Sequence, residues 1–249
     1  MKIEGNTILI TGGATGIGFA MAEAFMNAGN EVIICGRRKD KLEEAKSKLP
    51  NIHTRVCDLS KPAEREALYQ WASSNFKDLN ILVNNAGIQR MIDFRKGTSD
   101  LFNGENEVEI NLVAPIHLSA HFIPLLSKQT ESAIINVSSG LGFAPLAFMP
   151  VYCATKAAVH SFTMSLRRQL KDTPIKVFEV IPPTVNTELD KGARTARGQK
   201  DLGIPPIEVA KATLNGVEKD EFEIAVGAAQ NLRMGARMNP EQLFNNMNH

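Results

Sequence analysis

The run Thr7-Ile8-Leu9-Ile10-Thr11-Gly12-Gly13-Ala14-Thr15-Gly16-Ile17-Gly18, followed by the helical pattern Phe19 to Ala28, decides the fold. A short β-branched run enters a glycine-rich turn, and the turn opens a helix. A dinucleotide pyrophosphate needs close backbone approach, unobstructed N–H groups and the positive end of a helix, and glycines at such a turn permit all three. The spacing here, TGxxxGxG, differs from GxGxxG, and a tight βα connection with no ligand fits the same residues.

Working outward, six more short apolar runs recur: Glu31 to Cys35, Ile52 to Cys57, Asn80 to Val83, Ala133 to Val137, Ile175 to Ile181 and Glu223 to Val226, with helical patterns between them. Strands without a polar side, alternating with amphipathic helices, read as βαβ units, because a parallel sheet is covered on both faces. The expected fold is α/β: a Rossmann-type, doubly wound parallel sheet of about seven strands with helices on both faces. No linker or repeat divides the chain, so residues 1–249 are expected to form one domain, with a polar, turn-rich insert near 188–204.

Composition narrows the function. The 249 residues are 43% hydrophobic and 22% charged, enough for a sizeable core. Twenty-eight Lys plus Arg against 27 Asp plus Glu leave a net charge of +1, so there is no general attraction to nucleic acid or anionic membrane. Cys35, Cys57 and Cys153 have neither disulfide nor zinc spacing, which fits a reducing compartment. The first residues lack the pattern of a secretion signal. The uncharged stretch Ile110 to Ser127 carries Asn111, Pro115, His117, His121 and Pro124, a poor membrane span. The expectation is a cytoplasmic protein. His117 and His121 stand four apart without a third ligand, so helix packing explains them better than a metal.

Tyr152 and Lys156 also stand four apart, on the helical pattern Val151 to Leu170, so both project from one helix face. An ammonium beside a phenol favours the phenolate and makes a proton donor suited to neutral pH. Ser139, at the end of the fifth strand, can hydrogen-bond the same substrate oxygen as charge develops. Ser138 is its local rival. Such a Tyr–Lys pair also occurs as ordinary helix packing.

With the glycine turn, these residues resemble the short-chain dehydrogenase/reductase family. The ordered likeness also includes Asp58-Leu59 after the third strand, Asn84-Asn85-Ala86-Gly87 after the fourth, Asn111 opening a long helix, Ser138-Ser139 and Tyr152-Cys153-Ala154-Thr155-Lys156. Within the family the chain resembles bacterial oxidoreductases associated with the lipoteichoic-acid D-alanylation operon, chiefly from Ile224 to Asn248.

The resemblance implies hydride transfer between nicotinamide and a carbonyl or alcohol, with Asn111, Ser139, Tyr152 and Lys156 as catalytic residues. Ser139 selected over Ser138 matches the family interval to Tyr152. Lys156 would hold the nicotinamide ribose, and the Asn111 carbonyl would anchor a relay water. Gly12, Thr15, Gly16, Ile17, Gly18, Asp58, Leu59, Asn85, Ala86, Gly87, Pro182, Val185 and Thr187 would contact the cofactor. Where most members carry Pro-Gly after the sixth strand, this chain has Pro182-Pro183, and Pro183 lacks an N–H and the freedom of glycine.

After the second strand, where NAD-using relatives place an Asp, the chain has Gly36-Arg37-Arg38. A missing carboxylate and two guanidinium groups favour a 2′-phosphate, hence NADP, with NAD as a second possibility. The same residues can begin a solvated helix. The expected partner is a small carbonyl or alcohol, with Leu141, Phe143, Leu146, Phe148 and Met149 lining an apolar pocket or packing in the core. Residues 188–204 stand where the family has a mobile substrate lid. The helix Val151 to Leu166, apolar nearly all round, calls for cover on both faces and so for a homodimer or homotetramer. A non-catalytic NADP-binding sensor or scaffold is the alternative.

Overall fold

The computed structural model describes residues 1–189 and 203–248. One sheet carries seven parallel strands: β1 (Thr7–Thr11), β2 (Glu31–Gly36), β3 (His53–Val56), β4 (Leu79–Asn84), β5 (Ser132–Val137), β6 (Ile175–Ile181) and β7 (Glu223–Ala225), in the order β3-β2-β1-β4-β5-β6-β7. All seven predicted runs are strands.

Their continuous apolar character has a simple cause. Alternate residues enter two separate cores. On one face Ile8, Ile10, Ile34, Val83, Ile135 and Phe178 meet α1 (Gly16–Asn27), α2 (Lys39–Lys48) and α7 (Pro206–Glu218) through Met21, Phe25, Leu42 and Val209. On the other, Leu9, Ile33, Leu82, Ile134 and Val177 meet α3 (Pro62–Asn75), α5 (Ala114–Leu126) and α6 (Pro150–Gln169) through Leu68, Leu118, Phe122 and Leu166. Neither side of a strand has room for a polar residue without a partner. A short helix, α4 (Ser99–Phe102), lies in the connection after β4, and α8 (Ala228–Met238) and α9 (Pro240–Met247) follow β7.

β1 lies between β2 and β4, so the chain leaves it in one direction and returns on the other side. At such a switch point the loops beyond the carboxyl ends of the strands separate and leave a crevice. Asn111 occupies a π-helical turn, Glu109–Val113, that runs directly into α5. The run Glu109–Leu126 has the length and hydropathy of a membrane span, yet its Ala114, Leu118, Phe122 and Leu126 are buried against the sheet, as befits a core helix.

Candidate active site

The crevice at the carboxyl ends of β1 and β4 is a cleft of about 420 Å³. Gly12, Thr15, Gly16 and Ile17 line it beside Gly36, Arg37, Arg38, Asp58 and Leu59; Asn85, Ala86, Gly87, Tyr152, Lys156, Pro182 and Thr187 complete its wall. Two glycines are dictated by geometry. Gly12 has φ +63°, and a Cβ there would stand 2.8 Å from the Ala86 Cα; Gly16 has φ +57°, and a Cβ would press on the Thr187 side chain at 3.1 Å.

Thr11 and Asn85 weld this turn to β4. Thr11 Oγ1 accepts from the N–H groups of Asn85 (2.9 Å) and Ala86 (3.0 Å), while Asn85 Nδ2 donates to the Thr11 carbonyl at 2.9 Å. The turn delivers the start of α1 to the cleft, where the first N–H groups have no helical carbonyl to bond. No acidic residue occupies the first turn of α1. A crowded glycine turn with free donors and a positive helix end suits a pyrophosphate, so the residues present fit a dinucleotide.

Lys156 is buried, and its Nζ donates to the Val137 carbonyl at 2.9 Å and lies 5.7 Å from the centre of the Tyr152 ring. Burial pushes its ammonium down from 10.5 to about 8. Asn111 is buried behind Gly87 and Ile88 of the wall: its Oδ1 accepts from Ile88 N–H and its Nδ2 donates to the Ile88 carbonyl, both at 2.8 Å, and Nδ2 also reaches Thr155 Oγ1 at 3.2 Å. The amide thereby ties the π-helical turn to the β4 loop and to α6 between Tyr152 and Lys156.

The two serines part company. Ser138 Oγ donates to Glu179 Oε1 at 2.5 Å, and the other oxygen of this fully buried carboxylate meets His160 Nδ1 at 2.7 Å. That hydroxyl is committed. Ser139 Oγ accepts from the Leu141 N–H at 3.1 Å. Ser138, not Ser139, is among the residues lining the cleft.

The short chain dehydrogenase model matches residues 6–198. The chain belongs to the short-chain dehydrogenase/reductase family. It is 50% identical to the "Uncharacterized oxidoreductase DltE" of Bacillus subtilis (strain 168) over 248 residues, all of this chain and 98% of that one. It is 31% identical to the "Uncharacterized oxidoreductase YvrD" of the same organism, covering 80% of this chain and 77% of that one. Among solved structures, a Burkholderia cenocepacia J2315 short-chain dehydrogenase in complex with NADP shares 28% identity at a TM-score of 0.84 over 99% of both chains. A Burkholderia phymatum short-chain dehydrogenase/reductase in complex with NAD shares the fold at 21% identity, with a TM-score of 0.87 over 100% of this chain and 97% of that one. The protein is accordingly an NAD(P)-dependent dehydrogenase/reductase.

Several short-chain dehydrogenase/reductase expectations meet a different local structure here. Asn111 precedes α5 within the π-helical turn instead of opening the α-helix itself. The Val185 side chain is buried in the core and the residue pairs with Ile204. Gly18 packs against the Gly12 carbonyl and the Asn85 amide, below the cleft rather than in its lining. Leu141, Leu146, Phe148 and Met149 cluster with Tyr152 and Cys153, and Phe143 stands edge-on to His160; none of the five lines the cleft. His121 pairs with Glu66 at 3.1 Å and stacks on Tyr69, and no metal-binding group occurs among the described residues. All three cysteines are free and buried, and desolvation pushes the Cys57 thiol up to about 12. Residues 190–202, most of the expected lid, lie outside the described residues.

Glu179 and Glu107 were missed in the sequence. Glu179 is the one carboxylate in the otherwise apolar β6 centre, a placement that demands buried partners. Glu107 is 1% exposed: Oε1 accepts from Arg90 N–H at 2.9 Å, Oε2 has no hydrogen-bond partner, and burial raises its carboxyl above the usual range.

Proposed function

We propose that the protein is an NADP-dependent oxidoreductase acting on a small carbonyl or alcohol, with Tyr152 as general acid and base. The observation that carries this reading is the buried Lys156 ammonium, held by the Val137 carbonyl beside the Tyr152 ring in the cleft that the glycine turn opens. A bound nicotinamide would supply or accept the hydride.

The chain's own residues account for the proton. Lys156 is too buried for its charge to be dissipated by water, so its field favours the Tyr152 phenolate and eases loss of the hydroxyl proton to a developing alkoxide. Ser139 would donate to the same oxygen, its neighbour Ser138 being held out of the chemistry by Glu179. Asn111, fixed by Ile88 on both sides of its amide, would hold the relay water on its main-chain carbonyl.

NADP is preferred to NAD on two grounds. Gly36 has open space where a side chain would stand, and Arg37 and Arg38 line the cleft beside it. The NADP complex of the Burkholderia cenocepacia relative and the NADPH complex of a Sphingobium yanoikuyae relative at 28% identity support it. Asp58 lines the same end; hydrogen bonds from Ser60 hold its carboxyl below its usual range, so it is an acceptor suited to an adenine amine.

The turns beyond the carboxyl ends of one sheet, together with α6 and the π-helical turn, wall the cleft, and we take the chain as a single catalytic unit working in the cytoplasm. A panel of ketones, aldehydes and alcohols, followed at the nicotinamide absorbance with both cofactors, tests the reading. Turnover by wild type that vanishes in Tyr152→Phe supports it; a Tyr152→Phe protein that turns over the same substrates at the wild-type rate overturns it.

A further inference from the structure

Both arginines at the adenosine end are already paired. Arg37 Nη2 lies 2.9 Å from Glu105 Oε2, and Arg37 Nη1 closes on Glu105 Oε1. Arg38 Nη1 lies 3.0 Å from Glu188 Oε2, whose Oε1 is 3.8 Å from Lys41 Nζ. The partners are 68 and 150 residues apart, so neither pair is a product of helix spacing. Glu105 and Glu188 line the cleft with the arginines.

The structure presents Glu105 deliberately. The Arg90 guanidinium donates to the carbonyls of Asp100 (2.5 Å), Asn103 (2.6 Å), Glu105 (2.9 Å) and Leu101 (3.3 Å), and the Arg90 N–H is held by the buried Glu107. Four backbone anchors fix the loop that carries the carboxylate to Arg37.

We propose that Glu105 and Glu188 are specificity-determining residues: their carboxylates stand in for the cofactor's 2′-phosphate on Arg37 and Arg38 and must be displaced by it. The inference rests on the NADP reading and deepens it. Each pair is about half exposed, with side-chain exposures of 49% and 43% for Arg37 and Glu105 and of 47% and 53% for Arg38 and Glu188. Such pairs are weak, worth about one- to fivefold in an equilibrium constant. A phosphate monoester carries a charge of about −1.5 to −2 and three strong acceptor oxygens, so it displaces a carboxylate from a guanidinium. A ribose hydroxyl carries no charge with which to do so. The carboxylates therefore tax every nucleotide that carries a 2′-phosphate and leave those with a free 2′-hydroxyl nearly untouched.

Calorimetric titration of the full chain with 2′,5′-ADP and with 5′-AMP tests this without turnover. Glu105→Gln is expected to tighten 2′,5′-ADP about three- to fivefold and to leave 5′-AMP within about twofold. Glu188→Gln is expected to act in the same direction, and it supplies an independent measurement should Glu105→Gln fail to fold. The proposal is overturned if both variants bind 2′,5′-ADP no tighter than wild type while Arg37→Ala still weakens it, a result that leaves the NADP reading intact. Weaker 5′-AMP binding by Glu105→Gln would make Glu105 a ribose ligand and overturn the stand-in role. If wild type binds the two nucleotides equally and Arg37→Ala changes neither, the NADP reading falls and takes this inference with it.

Discussion

Replacing Lys156 by Met isolates the energetic cost of the cation on which the chemistry depends. The ammonium is buried, it donates to the Val137 carbonyl, and burial lowers it from 10.5 to about 8. A folded-state value below the unfolded one means that folding opposes the charge. The cost is complete well below pH 8, where both states are protonated, fades as pH rises from 8 to 10.5, and is gone above 10.5, where neither is. The difference corresponds to about 3 kcal/mol at about pH 7 and about 1 kcal/mol at about pH 9.5. Wild type should therefore gain about 2 kcal/mol relative to Lys156→Met between those two conditions. Urea unfolding of both proteins at both pH values measures it, and the double difference removes the titrating groups that do not sense the Lys156 charge. A double difference below about 0.5 kcal/mol would refute the burial argument, as would an NMR titration of the Lys156 side chain with its midpoint near the ordinary lysine value.

Further outcomes follow from the same residues. Tyr152→Phe keeps the ring and its packing but removes the proton donor; turnover should fall below about a tenth of wild type with nucleotide affinity within about twofold, as read by kinetics and calorimetry. Gly36→Asp with Arg37→Ala should shift preference from NADPH to NADH, because the added Cβ meets open space and its carboxylate repels a 2′-phosphate; a wild-type ratio of kcat/KM for NADPH over NADH below one sinks the reading at once. Glu179→Leu strips Ser138 and His160 of their shared acceptor and should cost about 2 to 4 kcal/mol in urea unfolding; a cost within about 0.5 kcal/mol of zero would show that the network is not structural. On α6, Ala154, Ala157, Ser161 and the half-exposed Met164 face outward, so light scattering should report a homo-oligomer at about micromolar concentration, and a monomer would rule it out.

What could be read from the sequence was local. Every strand was legible because a sheet covered on both faces leaves a continuous apolar run, and the glycine turn was legible because Gly12 and Gly16 occupy conformations and contacts that a side chain would spoil. The four-residue interval of Tyr152 and Lys156 likewise survives intact, since a helix converts it directly into a shared face. Charge is different. Arg37 and Arg38 read as two open cations in the sequence, yet carboxylates 68 and 150 residues further on meet them in the fold. Arg65 is the same case on α3: fully buried, it pairs with Glu109 at 2.8 Å and so braces the π-helical turn that holds Asn111, a link no periodicity announces. The room beside Gly36 is thus a property of the sequence, whereas the charge facing a nucleotide there is a property of the tertiary structure. Space and charge at the adenosine end are therefore separable. Space at Gly36 admits a 2′-phosphate whatever its neighbours carry, while the attraction of Arg37 and Arg38 is felt only to the extent that Glu105 and Glu188 give way.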